Sequence, residues 1–483
     1  MSQAPQSRPA AVDFLPQRPP IRHWEALTGI ALGWVLVVLG LGGGWPLAIF
    51  CLPLATLLLA AATGLLLWPG DGRLVEFLTL GAGLSLLPLL VALGLGAFAA
   101  AGLLAAAAVA TWLAAGRISL ETLPRVRGAP RVKTSTRAAA RIGGDQALLA
   151  WFKLILRPPR AQARQAMLRA VELWEARLAQ TSDLLAYHPR PPDLLKVESR
   201  ERRVLGQDVR HIRWESGFVP DPGLPGGDYW ERHRRNHHAH AWILEHGGKP
   251  RPWVLTIHGY RMGTPWLDLR AFEPALLHQK YGLNVASVVL PLHGPRRSGR
   301  LSGAHFLEGH FSDFIHAERQ SQWDIRRLLS WLRLNRHAPA IGVYGLSLGG
   351  YNAALLAGLD DELACVVAGI PVFDMARTMW RHMPPAEQAL MRADGLSEER
   401  VREILWPVSP GSFAPQLPPE RLGIFAGAID TLVWPDEALR LAAHWGGISP
   451  QWFPGAHLTF AGTAAQRACL YSTFAAGGLL EKS

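Results

Sequence analysis

Cysteine is nearly missing from this chain, with three residues in 483. That excludes a disulfide framework and fits a reducing compartment. Cys51 falls inside an apolar run. Cys365 and Cys469 sit in apolar strand and helix contexts, where a thiol serves as a small core side chain. Charge is missing from two long stretches. Residues 26–70 contain no Asp, Glu, Lys or Arg, and neither do residues 77–116. Each stretch is about twice the roughly 20 residues needed to cross a bilayer. A secretory signal peptide, with one apolar segment of roughly 7–15 residues and a cleavage site, does not fit such an array. No internal repeat, long low-complexity tract or nucleic-acid-binding module is present either. The net charge of +11 and pI near 10.0 therefore need another account.

That account begins with the apolar runs. Gly42 to Trp45 interrupts the first and Gly94 to Gly96 the second. The pattern reads as four spans, at about 26–43, 46–68, 76–94 and 97–116; the first is short and glycine-rich, which leaves three spans open. The last two are rich in Ala and Gly, which suits close helix packing in lipid. Arg8, Arg18 and Arg22 precede the spans. Arg117, Arg125, Arg127, Arg131, Lys133, Arg137 and Arg141 follow them, opposed only by Glu121. Positive flanks stay cytoplasmic. An even number of spans puts both flanks, and everything after them, on the cytoplasmic side of a cell membrane. The basic segment either meets anionic lipid headgroups or records topology alone.

These features divide the chain into a tail (1–25), a transmembrane region (26–116), a basic connector (117–199) and a C-terminal domain (200–483). Pro124, Pro130, Pro158-Pro159 and Pro191-Pro192 punctuate the connector. One helix is expected in it, over about 161–186, with Met167, Leu168, Val171, Trp174 and Leu178 on one face. It packs on the C-terminal domain or lies on the membrane surface.

The chemistry is concentrated in Ile341-Gly342-Val343-Tyr344-Gly345-Leu346-Ser347-Leu348-Gly349-Gly350. A β-type apolar run ends in Gly-x-Ser-x-Gly, and a helical run, Tyr351 to Leu359, follows. The pattern alone is weak among 48 glycines. In strand–turn–helix context it exposes the serine as a nucleophile. A nucleophilic serine needs a base, and the base an orienting acid. The run Leu422 to Ala426 exits through Gly427 to Asp430. A helical pattern follows from Trp434-Pro435 to about His444. The short strand Ile448 to Phe453 then exits through Gly455-Ala456-His457. Asp430 and His457 thus close successive strands at their carboxyl ends, where open α/β sheets carry their working residues. Asp436 and Asp374 are rival acids. Asp436, in a first helical turn, is explained by the helix dipole alone, and its replacement by Asn should change little beyond helix stability. Upstream, Trp253 to Ile257 is a buried strand breaking at His258-Gly259-Tyr260.

With these motifs in place, residues from about 200 to 483 resemble the α/β-hydrolase superfamily. The nearest likeness is to a poorly characterised branch with Pro291-Leu292-His293-Gly294-Pro295-Arg296 after the strand Asn284 to Leu290. The likeness does not extend over the first 120 or so residues. It implies a mostly parallel central sheet with a small cap at about 372–420, preceded here by the transmembrane helices. It also implies Ser347 as nucleophile, His457 as general base and Asp430 as orienting acid. The oxyanion donors would be the backbone N–H groups of Leu348 and Tyr260. No metal or other cofactor is required.

Weaker candidates surround this set. His258, His293 and Arg296 border the site by sequence and either contact a substrate headgroup or fix their loops. Met375 and Met379, with Met383 and Met391, put four of the seven methionines in the cap segment. They form a packing face or an acyl-chain pocket. His233, His237, His238 and His240 lie among Arg232, Arg234 and Arg235, which repel a cation. The expected activity is hydrolysis of a lipid-like or apolar acyl ester by a membrane-anchored serine esterase. Acyl transfer on the same fold, and a non-catalytic membrane scaffold, are the alternatives. Because every triad and oxyanion loop follows residue 185, a chain beginning there is expected to stay active.

Overall fold

The computed structural model describes residue 14 and residues 23–69, 71–155, 161–181, 183–307 and 311–480. Arg8, Arg18, Arg22 and Pro158-Pro159 lie outside the described residues. The N-terminal part consists of helices α1 (Leu27–Gly42), α2 (Trp45–Leu67), α3 (Gly72–Leu84), α4 (Leu86–Gly94) and α5 (Phe98–Thr122). Four helical stretches, Trp24–Gly42, Trp45–Leu67, Gly72–Gly94 and Phe98–Thr122, are long and apolar enough to cross a membrane. The third is broken at Ser85, whose hydroxyl donates to Gly81 O. Small residues let these helices approach: a Cβ on Gly29 would press on Leu78, and one on Gly81 on Leu58, at 2.7 Å. Leu32, Leu58, Leu78 and Leu104 form their core. Trp34, Val38, Leu67, Leu90 and Leu103 point outward and are exposed, the reverse of a water-soluble surface.

The connector holds two helices, α6 (Thr136–Ile155) and α7 (Ala161–Ala179). The second lies within the expected 161–186 segment and ends earlier. Its Val171 and Trp174 are fully buried in the main core, so it packs on the C-terminal domain. The first was not expected. Gly143-Gly144 at its centre reads as a breaker in sequence. In space a Cβ on Gly143 would stand 2.6 Å from the Trp112 indole, and one on Gly116 would collide with the Ala139 backbone. The glycines thus let α5 and α6 pack backbone to backbone.

The C-terminal domain is built on nine strands: β1 (Glu198–Val204), β2 (Gln207–Glu215), β3 (His238–Leu244), β4 (Trp253–Ile257), β5 (Asn284–Val289), β6 (Ile341–Leu346), β7 (Cys365–Gly369), β8 (Leu422–Gly427) and β9 (Gln451–Phe453). Their order is β1-β2-β3-β5-β4-β6-β7-β8-β9. The pairs β1–β2, β2–β3 and β3–β5 are antiparallel, and the others are parallel. Both faces are covered. Trp253, Leu255 and Ile257 enter one core with Val288 and Val343, while Val254 enters the other with Val285 and Tyr344. Burial on both sides is why these strands read as continuous apolar runs rather than alternating ones. This is the α/β-hydrolase fold. Between β7 and β8 the helices Met375–His382, Pro385–Ala393 and Glu398–Leu405 form the cap segment.

Candidate active site

Strand β6 delivers Ser347 at its carboxyl end, and a helix, Leu348–Leu356, starts at the next residue. Ser347 has φ 56° and ψ −114°, a left-handed backbone strained for a residue with a side chain. Its N–H donates to Gly369 O at 2.9 Å, which pins the turn to β7. The flanking glycines are obligatory. A Cβ on Gly345 would collide with Gly349 O, and a Cβ on Gly349 with Ile257 O. Ser347 is half-buried, so its hydroxyl can meet a substrate.

His457 follows β9 and Asp430 follows β8, and both are buried. The Asp430 carboxylate can only accept, so the His457 Nδ1–H donates to its Oδ2, at 2.6 Å. That leaves Nε2 as an acceptor for the Ser347 hydroxyl, at 3.0 Å. Asp430 Oδ1 accepts the N–H groups of Leu432 and Val433 at 3.0 and 2.8 Å, which fixes the carboxylate in its loop. Burial alone would lower the imidazole pKa. The Asp430 charge, and after it that of Asp145, outweigh burial and leave the ring above its ordinary value. The arrangement can draw a proton from Ser347 and hold it on an imidazolium whose Nδ1–H faces the Asp430 carboxylate.

The β4 exit runs close beside the serine: a Cβ on Gly259 would be 3.5 Å from Ser347 Cβ. The Leu348 N–H is the first of a helix, where no carbonyl of the preceding turn is available to it. The Tyr260 ring meets Phe152 of α6 edge to face at 5.9 Å.

Helix α6 also contributes a residue that sequence reasoning missed. Asp145 is 0% exposed. Its carboxylate accepts the N–H groups of His457 at 2.8 Å, Leu458 at 3.2 Å and Thr431 at 3.3 Å. Burial, and next the nearby Asp430 charge, push its carboxyl pKa up. On the same helix the Arg141 guanidinium donates to Pro454 O at 2.8 Å. Ala138 and Ile142 pack on Ile429 and Ala456. No local motif announces Asp145, because its partners lie about three hundred residues away in the chain.

The remaining candidates have structural partners. His258 is buried with Nδ1 2.8 Å from Gly259 O, and its Nε2 accepts the Leu290 N–H at 3.1 Å. It ties the exits of β4 and β5 together. His293 is fully buried, its Nδ1 on Pro291 O at 2.8 Å. Arg296 is also fully buried and donates to Asp324, Val289 O and Asn236 O. A guanidinium consumed in this way is an internal brace and not a headgroup contact. Met375 is buried in the main core and Met379 packs partly buried against it, which makes them packing residues. Among the histidines near residue 240, His237 bonds Glu231 O and His240 bonds His211. Of the rival acids, Asp374 caps its helix and pairs with Arg402 at 2.6 Å. Asp436 is fully buried and receives both Arg381 nitrogens at 2.7 and 2.5 Å. The helix dipole is therefore not the whole explanation of Asp436: it anchors the cap to the helix after β8.

The prolyl oligopeptidase family model matches residues 335–445, a segment that includes Ser347 and Asp430. Uncharacterized protein Rv2627c of Mycobacterium tuberculosis is 38% identical over 296 residues, which are 61% of this chain and 71% of that protein. Among solved structures, acetyl xylan esterase 1 from a Thermoanaerobacterium species is 15% identical with a TM-score of 0.41, covering 66% of this chain and 96% of that one. An acetyl xylan esterase from a Paenibacillus species is 16% identical with a TM-score of 0.40, covering 60% and 97%.

Proposed function

The chain belongs to the α/β-hydrolase superfamily, in one family with the mycobacterial protein, and on that premise we propose that it is a membrane-anchored serine hydrolase of apolar acyl esters. One observation carries the reading: Ser347 Oγ, His457 and Asp430 stand in a continuous hydrogen-bonded line of 3.0 and 2.6 Å. Ser347 attacks the ester carbonyl while His457 takes its proton. Asp430 holds the tautomer and the imidazolium. The N–H groups of Leu348 and Tyr260 receive the oxyanion. His457 then protonates the leaving alcohol, and the same base activates water to hydrolyse the acyl-enzyme.

Two features support an apolar substrate met at a membrane. Helix α6 touches both the triad loops and the apolar bundle, so the site lies on the bundle side of the domain. Trp151 and Leu154 of α6 and Leu458 beside the base are exposed apolar groups. The basic segment Arg125 to Arg137 would then meet the cytoplasmic headgroups.

A second reading, hydrolysis of peptide bonds, is favoured by the prolyl oligopeptidase match across the nucleophile and the acid. One experiment separates these. The full chain, in membranes, is treated with a fluorophosphonate probe and then assayed on p-nitrophenyl esters of increasing acyl length and on peptide p-nitroanilides. We expect labelling that Ser347→Ala abolishes, faster turnover of longer acyl esters, and resistance to carbonate extraction. Faster cleavage of the anilides would favour the peptidase reading. An unlabelled wild type would leave a non-catalytic scaffold.

A further inference from the structure

Helix α6 reaches the triad from the side of the apolar bundle, and its one acidic side chain ends at the catalytic base. We propose that Asp145 is a positioning residue of this centre, clamping the His457 and Asp430 loops and setting a second negative charge beside the imidazole. The proposal rests on the serine-hydrolase reading above.

Three observations carry it. First, the carboxylate is wholly buried, and its three amide donors, from Thr431, His457 and Leu458, belong to the two loops that carry the acid and the base. One side chain thereby fixes both loops against one helix. Second, the amide donors are neutral, and a buried carboxylate answered only by neutral groups is costly. A polar neutral side chain would tie the loops with less desolvation. The charge has a use only where positive charge develops, and that place is His457. Third, α6 is held from its other side. Lys153 pairs with Glu76 of α3, and the Ala139 backbone closes on Gly116 of α5. The base is thus oriented by an element docked on the membrane bundle.

The charged and titratable groups around His457 are few. Asp430 follows the neighbouring strand β8, and Asp145 and Arg141 come from α6, the latter bound to Pro454 O. His382 of the cap donates to Leu432 O and is pushed down to about 4 by burial, so it stays neutral. Lys153 is engaged by Glu76. Among the described residues, removing the Asp145 charge therefore leaves Asp430 as the acidic group acting on the imidazolium.

The test uses full-length protein in detergent, p-nitrophenyl butyrate and a fluorophosphonate probe, with wild type, Ser347→Ala and Asp145→Asn compared. For Asp145→Asn we expect kcat to fall about tenfold, the equivalent of one pKa unit at the base, with KM unchanged because the residue does not reach substrate. Burial pushes the Asp145 carboxyl up to about 7, so its charge is present above that pH; there the imidazole loses a neighbouring negative charge in the variant, and the acid limb of kcat/KM should move down. If the Asn variant does not fold, Asp145→Ser, smaller and also uncharged, carries the same measurement. An unmoved limb, whether kcat falls or not, would reduce Asp145 to a structural tie and overturn the proposal. A wild type that does not label would remove the serine reading and this proposal together. A labelled wild type with an Asp145→Asn variant equal to it would remove only this one.

Discussion

Lys153 of α6 and Glu76 of α3 form an ion pair across the junction between the apolar bundle and the catalytic domain, with Nζ 2.6 and 2.8 Å from the two carboxylate oxygens. Both side chains are largely buried. The pair fastens to the bundle the helix that carries Asp145 and Phe152.

Lys153→Ala should loosen that junction. Breaking a fully buried pair costs roughly 3–5 kcal/mol because a charge is left behind. Lys153 keeps some contact with water, so the loss should be smaller. The thermal midpoint in detergent should drop, and ester turnover should fall with it as α6 loses its hold on the His457 loop. An unchanged midpoint and rate would show that the other α6 contacts suffice.

Replacing Asp430 by Asn keeps its size but favours the wrong imidazole tautomer. The expected loss is on the order of 10³–10⁴ in kcat with the fold intact. Asp436→Asn should behave in the opposite way. It strands the Arg381 charge in a buried site, and stability should fall by somewhat less than the roughly 3–5 kcal/mol of a lost buried partner, since Glu437 stays 3.6 Å from Arg381. The folded fraction should keep its rate. Denaturant titration alongside steady-state kinetics separates the two variants; a large kcat loss in folded Asp436→Asn would reassign the acid.

The pH profile follows from the base. Ser347 is activated only while His457 is neutral, and its folded pKa lies above the ordinary 6.5. Activity should therefore be lost on acidification with a limb above 6.5, and Asp430→Asn should bring that limb down. The measurement is kcat/KM for a p-nitrophenyl ester against pH. A wild-type limb below 6.5 would contradict the two-carboxylate setting of the imidazole.

A chain starting at residue 185, which sequence alone expects to be active, should instead be impaired. It lacks Trp174, wholly buried with its indole N–H on Ser312 at 3.1 Å. That loss is comparable to the roughly 3–5 kcal/mol of a core Trp→Ala change. It also lacks Asp145 and the Phe152 contact with Tyr260. A chain starting near residue 123 keeps α6 and α7 and should retain more activity per folded molecule. Equal activity of the two truncated chains would show that the connector does not complete the site.

The sequence by itself determined the apolar helices, the buried strands that carry the site, and the Ser347, Asp430 and His457 turns. Each of these is a local pattern: a charge-free run, a buried β run, or a glycine exit read over a handful of residues. The strands β1 and β2 at one edge of the sheet carry no such pattern. Tertiary structure alone decided what the connector does. Helix α6 carries Gly143-Gly144 at its centre, where the Trp112 indole leaves no room for a Cβ at Gly143. Arg296, which sequence left as a headgroup contact or a loop brace, and Asp436, which it read as a dipole residue, are internal braces because their partners come from distant segments. Asp145 reaches His457 across 312 positions of chain. No period or spacing encodes such a pairing, because it exists only once the bundle and the sheet have been packed against one helix.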